Sequence, residues 1–327
     1  MVVTNFKLQS MKIVEHINTA QDTLFSFEIL PPLKGQDINQ IYAGIEPLMD
    51  FNPPFIDVTY HREEFIMKPL PDGTFRRITT RKRPGTVAIC AAIMNKFKVD
   101  AVPHLICGGF TREETENALI DLHFLGIDNV LVLRGDNLKH ETVFTPEPEG
   151  NKNSLELLQQ VQEMNKGIYL DEDLVNPVAT NFCIGVSGYP EKHQDAPNLK
   201  SDLAWLQKKV DAGAEFITTQ MFFDNQAYFD FVDKCRKQGI NIPIIPGIKP
   251  IATKKQLTVL PKVFHIDIPE ALAEAVESAK DDRQVKEIGV EWAIQQCKEL
   301  KAAGAPVLHF YTMGRSDATK KIAEAVF

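Results

Sequence analysis

Short apolar runs, rich in β-branched and aromatic residues, recur along the chain. They lie at 24–30 (LFSFEIL), 55–60 (FIDVTY), 101–107 (AVPHLIC), 129–136 (NVLVLRGD), 181–190 (NFCIGVSGYP), 215–224 (EFITTQMFFD), 243–250 (PIIPGIKP) and 306–313 (PVLHFYTM). Their apolar character is too continuous for a sheet with one wet face and suits strands buried on both faces. Longer amphipathic stretches separate them. Thr111-Arg-Glu-Glu114 reads as a capping box that opens a helix, with Ala118, Leu119, Leu122 and Leu125 at helical spacing and Gly126 to end it. Asn198 or Ser201 can cap a second helix, which carries Leu203, Leu206 and Val210 on one face. Val285, Ile288 and Trp292 mark another. Strand–helix alternation repeated eight times points to a barrel or a doubly wound sheet.

Three stretches depart from this alternation or leave it ambiguous. The run 85–94 (GTVAICAAIM) fits a strand or a buried helix. It is assigned to helix because the strand at 101 follows within a few residues. Residues 61–84 are charged and contain a Pro-Asp-Gly turn, while 137–153 are polar and punctuated by proline. Both are expected to be long loops after strands, where such folds keep their function.

Composition narrows the classes. The chain has 327 residues, 44% of them hydrophobic, enough to fill one large barrel domain over 1–327. A net charge of −8 argues against a general nucleic-acid binder. Five widely spaced cysteines without a CxxC pair read as packing thiols in a reducing compartment, not as a disulfide or zinc framework. The first residues lack a signal-peptide h-region, and no run approaches the length of a membrane span. A cytoplasmic protein is therefore expected.

Polar residues gather at the C-terminal ends of the strand runs: Glu28, Thr59, His104, Arg134, Asp136, Tyr189, Gln220, Lys249 and Tyr311. In a (βα)8 barrel those ends converge on one face. A single polar residue there forms a turn, but a set on nearly every strand points to a shared pocket. Glu28 sits in an otherwise apolar run, where desolvation raises a carboxyl pKa into the range of a general acid. As a purely structural residue it would pair with a loop arginine. Gly135 permits close backbone approach to a ligand beside Asp136. Lys249 at the barrel mouth could be a Schiff-base nucleophile, which would make the protein a class I aldolase, or a lysine snorkelling from a loop. There is no Gly-rich Rossmann fingerprint and no Walker A sequence. A dinucleotide would therefore meet Arg134, Lys208, Lys209 or the cluster at 81–83.

Together the segments SFEILPP (26–32), VTY (58–60), PHLIC (103–107), LRGD (133–136), YPEKH (189–193), KKVDAGAEFITTQMFFD (208–224), PGIKP (246–250) and HFYTMGR (309–315) resemble the methylenetetrahydrofolate reductase family, in family order and over nearly the whole chain. The resemblance implies a (βα)8 TIM barrel with FAD at the strand C-termini. It also implies NADH or NADPH as reductant and 5,10-methylenetetrahydrofolate as substrate, and a product that supplies methyl groups for methionine synthesis. Thr59, His104, Leu133, Arg134, Gly135, Asp136, Tyr189, His193, Ala196, Asp202 and Lys209 fall at its FAD-contacting positions. Glu28 matches the general acid. Asp136 matches the acid that contacts the pterin and tunes the flavin. Gln220, Gln256, Tyr311 and Arg315 match folate-contacting positions, and Phe223 falls in the Q-x-F-F-D stretch. Family members commonly form homo-oligomers.

The sequence departs from the family pattern at His61, where glycine is frequent, and in the basic insertion after it. It departs again at Trp205, Lys208 and Leu260. The chain ends soon after Arg315, so the C-terminal regulatory domain of larger members is not expected. Rival readings are the Lys249 aldolase, a proline dehydrogenase-like flavoenzyme and a non-catalytic folate or flavin carrier.

Overall fold

The computed structural model describes residues 10–80, 82–137, 141 and 143–327. All eight expected strands are present: β1 (Leu24–Ile29), β2 (Phe55–Val58), β5 (Asp100–Ile106), β6 (Asn129–Leu133), β7 (Cys183–Gly188), β8 (Phe216–Met221), β9 (Ile244–Ile248) and β10 (Val307–Tyr311). They close into one parallel barrel, β1-β10-β9-β8-β7-β6-β5-β2, so the architecture is a single-domain (βα)8 barrel and not a doubly wound sheet. Parallel neighbours need a crossover helix each, and those helices cover the outside of the barrel.

The region 61–84 departs from expectation. In place of a structureless loop it forms an antiparallel hairpin, β3 (Glu64–Pro69) with β4 (Phe75–Thr80). The turn explains it. Gly73 takes φ +80°, the Asp72 carboxylate accepts from Thr74 N at 3.0 Å, and Leu70 N donates to the Thr74 carbonyl at 2.8 Å. The basic end of the hairpin is tied back, because Arg83 donates to the Pro31 carbonyl.

Helix assignments follow the sequence signals closely. The run at 85–94 is helical, in α3 (Thr86–Phe97). Thr111 and Glu114 form the expected reciprocal box at the start of α4 (Arg112–Phe124). The phase fails only at its end, where Leu125 is the C-cap and lies exposed. Asn198, not Ser201, caps α6 (Leu199–Asp211), accepting from Ser201 N at 2.9 Å. Val285, Ile288 and Trp292 lie on α10 (Asp282–Ala302).

Side chains alternate along each strand between the helix layer and the barrel interior. Phe25, Phe27, Ile56, Val58, Ile217 and Phe310 face outward into the main core. The inward positions change character along the axis. At the N-terminal end they are apolar, with Phe55, Val102, Leu131, Cys183, Phe216, Ile245 and Val307 in one cluster. The short helix α1 (Ile13–Thr19) plugs this end: Ile13 is fully buried in that cluster, and its N–H donates to Asn129 Oδ1 at 2.9 Å. Two residues further along β2, β5, β8 and β10 the same inward phase carries Asp57, His104, Thr218 and His309, and there the candidate site begins. Among the described residues no helix is long and apolar enough to cross a membrane.

Candidate active site

The inward polar positions of β1, β2, β5, β9 and β10 form one buried cluster. Glu28 is 12% exposed, and its Oε2 lies 3.8 Å from His104 Nε2. The same imidazole nitrogen is 3.3 Å from Asp57 Oδ2. Lys249 follows β9 in the inward phase set by Ile245 and Gly247, and is 9% exposed. Burial pushes the Glu28 carboxyl up to about 7, against a counter-pull from His104, a further push from Asp57 and a counter-pull from Lys249. The expected desolvation of Glu28 is thus met. Its neighbours are a histidine and a lysine, not the loop arginine of the structural alternative. Burial also lowers the Lys249 pKa, opposed by the Glu28 charge.

Tyr311 pairs in register with Glu28 across β1 and β10. Its hydroxyl donates to the Thr219 carbonyl at 2.6 Å, and burial drives its pKa well above the ordinary value. Gln220 is half-buried and its Oε1 accepts from Met221 N at 2.9 Å. Gln256 opens α8 (Gln256–Phe264), where its Oε1 accepts from Ala252 N at 2.6 Å and Thr253 N at 3.1 Å. Arg315 lies exposed after β10. Phe223 and Leu260 are buried together in a satellite core beside the mouth.

A second group gathers on the β6–β7 side. Gly135 takes φ +88°, and a Cβ there would stand 3.2 Å from Ile106, so glycine is required where the chain leaves β6. Leu133 is half-buried, Arg134 pairs with Asp195, and Asp136 is exposed at the rim. The Tyr189 and His193 rings meet edge to face at 4.6 Å. Asp202 accepts from His193 N at 2.9 Å, and Ala196 N donates to the His193 carbonyl at 3.0 Å. Lys209 is 4% exposed and donates to the Ser187 carbonyl at 2.9 Å; burial lowers its pKa to about 8, partly offset by Asp202. A small cavity is lined by Ser187, Tyr189, Asp202 and Lys209. Thr59 stands apart from this group, with Oγ1 3.4 Å from the Ile29 carbonyl.

Of the other dinucleotide candidates, Lys208 and Arg83 do not converge here. Lys208 is exposed, with its ammonium over the Trp205 ring at 5.4 Å, which is the solvated helix face. Arg81 lies outside the described residues, and Arg83 is committed to Pro31.

Several site neighbours were not singled out in the sequence. Asp57, Ser26 and His309 each lie two residues before a singled-out position (Thr59, Glu28 and Tyr311). The period of two along a strand is the signal that could have found them. Arg62 packs against Gly108 and Gly109 and pairs with Glu141. Phe144 lies within cation–π range of both Arg62 (5.9 Å) and Arg134 (5.1 Å). No local pattern announces these long-range contacts.

Comparison with known proteins bears on this geometry. A family model described as methylenetetrahydrofolate reductase matches residues 12–326. Methylenetetrahydrofolate reductase 1 of Schizosaccharomyces pombe is 34% identical over 311 residues, covering 94% of this chain and 47% of its own length. Methylenetetrahydrofolate reductase (NADH) 1 of Arabidopsis thaliana is 33% identical, covering 93% and 48%. The 5,10-methylenetetrahydrofolate reductase of Escherichia coli is 29% identical, covering 92% and 90%. The chain thus spans about half the length of the first two relatives. Among solved structures, an uncharacterised protein from Clostridium thermocellum that binds two copies of 5-methyl-5,6,7,8-tetrahydrofolic acid superposes with a TM-score of 0.57. It is 14% identical, covers 96% of this chain and 97% of its own, and at that identity shares the fold.

Proposed function

The chain belongs to the methylenetetrahydrofolate reductase family, and from that premise we propose that it reduces 5,10-methylenetetrahydrofolate to 5-methyltetrahydrofolate with FAD as cofactor and NADH or NADPH as reductant. The observation that carries the reading is Glu28, a carboxyl held by burial near pH 7 at the C-terminal end of a barrel strand.

The residues present fit the cofactor. Gly135 clears the backbone, Arg134 and Lys209 offer positive charge to phosphates, and His193, whose pKa burial lowers, offers a ring nitrogen beside them. Bound FAD would take hydride from NAD(P)H in one half-reaction and supply it to the one-carbon unit in the next.

The chain's own residues provide positioning and the proton. Reduction of the methylene bridge consumes one hydride and one proton. Glu28, half protonated near neutrality, donates its proton to the folate nitrogen released when the five-membered ring opens. The product then carries the methyl group on the other nitrogen, and Glu28 regains a proton through the mouth. His104 and Lys249 stabilise the carboxylate left behind. Asp136 at the rim, with Gln220, Gln256, Tyr311 and Arg315, is assigned to the pterin and its tail.

A Schiff-base role for Lys249 finds some support in its lowered pKa but none in the family assignment, and a proline dehydrogenase-like reading fares no better. The test is the visible absorbance of purified protein, supplied with FAD, before and after anaerobic NADH or NADPH. Flavin bands that bleach with the nicotinamide and return with methylenetetrahydrofolate are expected. Protein that takes up no FAD would overturn the reading.

A further inference from the structure

The barrel interior holds more ionisable groups than the proposed reaction uses. Asp57 is 2% exposed. Its Oδ2 meets His104 Nε2 at 3.3 Å, while its Oδ1 is buried with no hydrogen-bond partner among the described residues. His309 Nδ1 lies 2.8 Å from Ser26 Oγ, and its Nε2 is likewise buried and unpartnered. An isolated carboxylate this deep is strongly disfavoured unless a cation neutralises it. His104 is the group within hydrogen-bond reach. Beneath the pair lie the apolar cluster of Phe55, Val102 and Leu131 and the Ile13 plug. That apolar layer closes the N-terminal end beneath the pair, while Glu28 lies 3.8 Å from His104 on its other contact.

We propose that Asp57 is a positioning residue, which through its contact with His104 holds the imidazole in place and positively charged against Glu28. The inference deepens the reading of Glu28 given above and rests on it. The Asp57–His104 ion pair, neutral as a whole, then presents its cationic imidazole end to Glu28 and does not act as a proton wire, because it leads nowhere. It keeps the carboxylate form of Glu28 accessible after proton transfer, where burial alone would lock Glu28 in its protonated form.

The neighbouring charges agree with this arrangement. Glu28 is faced by His104 from β5, Asp57 from β2, Lys249 beyond β9 and Tyr311 from β10. Asp57 also faces His309 from β10 and Cys90 from α3. Burial pulls His104 down, but the hydrogen bond from Asp57 and the charges of Glu28 and Asp57 outweigh it and leave the imidazole above its ordinary pKa. His309, without such a partner, is lowered by burial. Replacing Asp57 by Asn removes a small upward push on Glu28. It also neutralises His104 and so removes the larger downward pull, and the net result is a rise in the Glu28 pKa.

The experiment is an NMR titration of histidine ring carbons in the purified protein as isolated, with the His104 signal assigned by its loss in His104→Gln. In the wild type the His104 signal should titrate above the usual histidine value. In Asp57→Asn it should titrate lower by about one pH unit or more. The alkaline limb of the folate-reduction rate should move upward in the same variant, with kcat changing more than KM. A neutral His104 in the wild type at pH 7, or an unchanged titration in Asp57→Asn, overturns the proposal. The wild-type measurement decides the point even if the variant does not fold. Loss of the Glu28 reading would register separately, as folate reduction surviving in Glu28→Gln.

Discussion

The ring of Tyr311 occupies the space that any side chain on Gly247 would need. A Cβ at 247 would stand 2.5 Å from the Tyr311 ring and 2.4 Å from the Thr219 carbonyl, which itself accepts the Tyr311 hydroxyl. Gly247→Ala should therefore displace Tyr311 and cost about 1–3 kcal/mol of stability by overpacking. It should also raise the KM for folate more than it lowers the rate of NADH oxidation. Thermal unfolding and steady-state kinetics check both, and a variant with unchanged Tm and KM would contradict the close contact.

Removing the proton at Glu28 separates the two halves of the proposed reaction. Glu28→Gln should slow folate reduction by about 10²–10⁴-fold, the usual worth of a positioned general acid. NADH oxidation with an artificial acceptor should stay within a few-fold of wild type. Loss of both activities would make Glu28 a structural residue.

The same substitution carries a stability signature with a definite sign. The folded-state pKa of Glu28, about 7, lies above its ordinary 4.5, so the folded protein holds the proton more tightly than the unfolded chain. Stability from this site is full below 4.5 and falls as pH rises from 4.5 through 7, by about 3 kcal/mol at most. Glu28→Gln should thus raise the Tm at pH 8 while changing it little at pH 4.5. Calorimetry at the two values tests this, and an equal shift at both would place the effect elsewhere.

Lys209 predicts a pH limit on cofactor binding. Its ammonium, buried with a pKa near 8, is charged below that value and neutral above it. Affinity for FAD should weaken as pH rises from 7 to 9. Lys209→Met should lose about 10–100-fold in affinity at pH 7, the worth of one charged hydrogen bond, and abolish that pH dependence. Fluorescence titration of FAD at several pH values reads both effects. A flat profile in the wild type would remove Lys209 from the phosphate contacts.

The eight strands, the capping box at Thr111 and the helix at 86–97 were legible locally, because burial of parallel strands and helix caps leave periodic or short-range marks. The clustering of polar residues at strand ends announced a site at one face, and Glu28 stood out because a carboxylate in an apolar run is costly to bury unless its charge or its proton is used. The hairpin at 64–80 was missed because its alternation is hidden by charges on both faces of an exposed ribbon. Register and closure were beyond local reading. They bring Asp57 of β2 to His104 of β5, place Arg62 over Gly108, and bury Lys209 while leaving Lys208 in solvent. Sequence by itself determined which residues could be buried and which could carry a proton. Only the closed barrel decided which of them share a low-dielectric interior, since that depends on strand order and stagger, and neither is encoded within a single element.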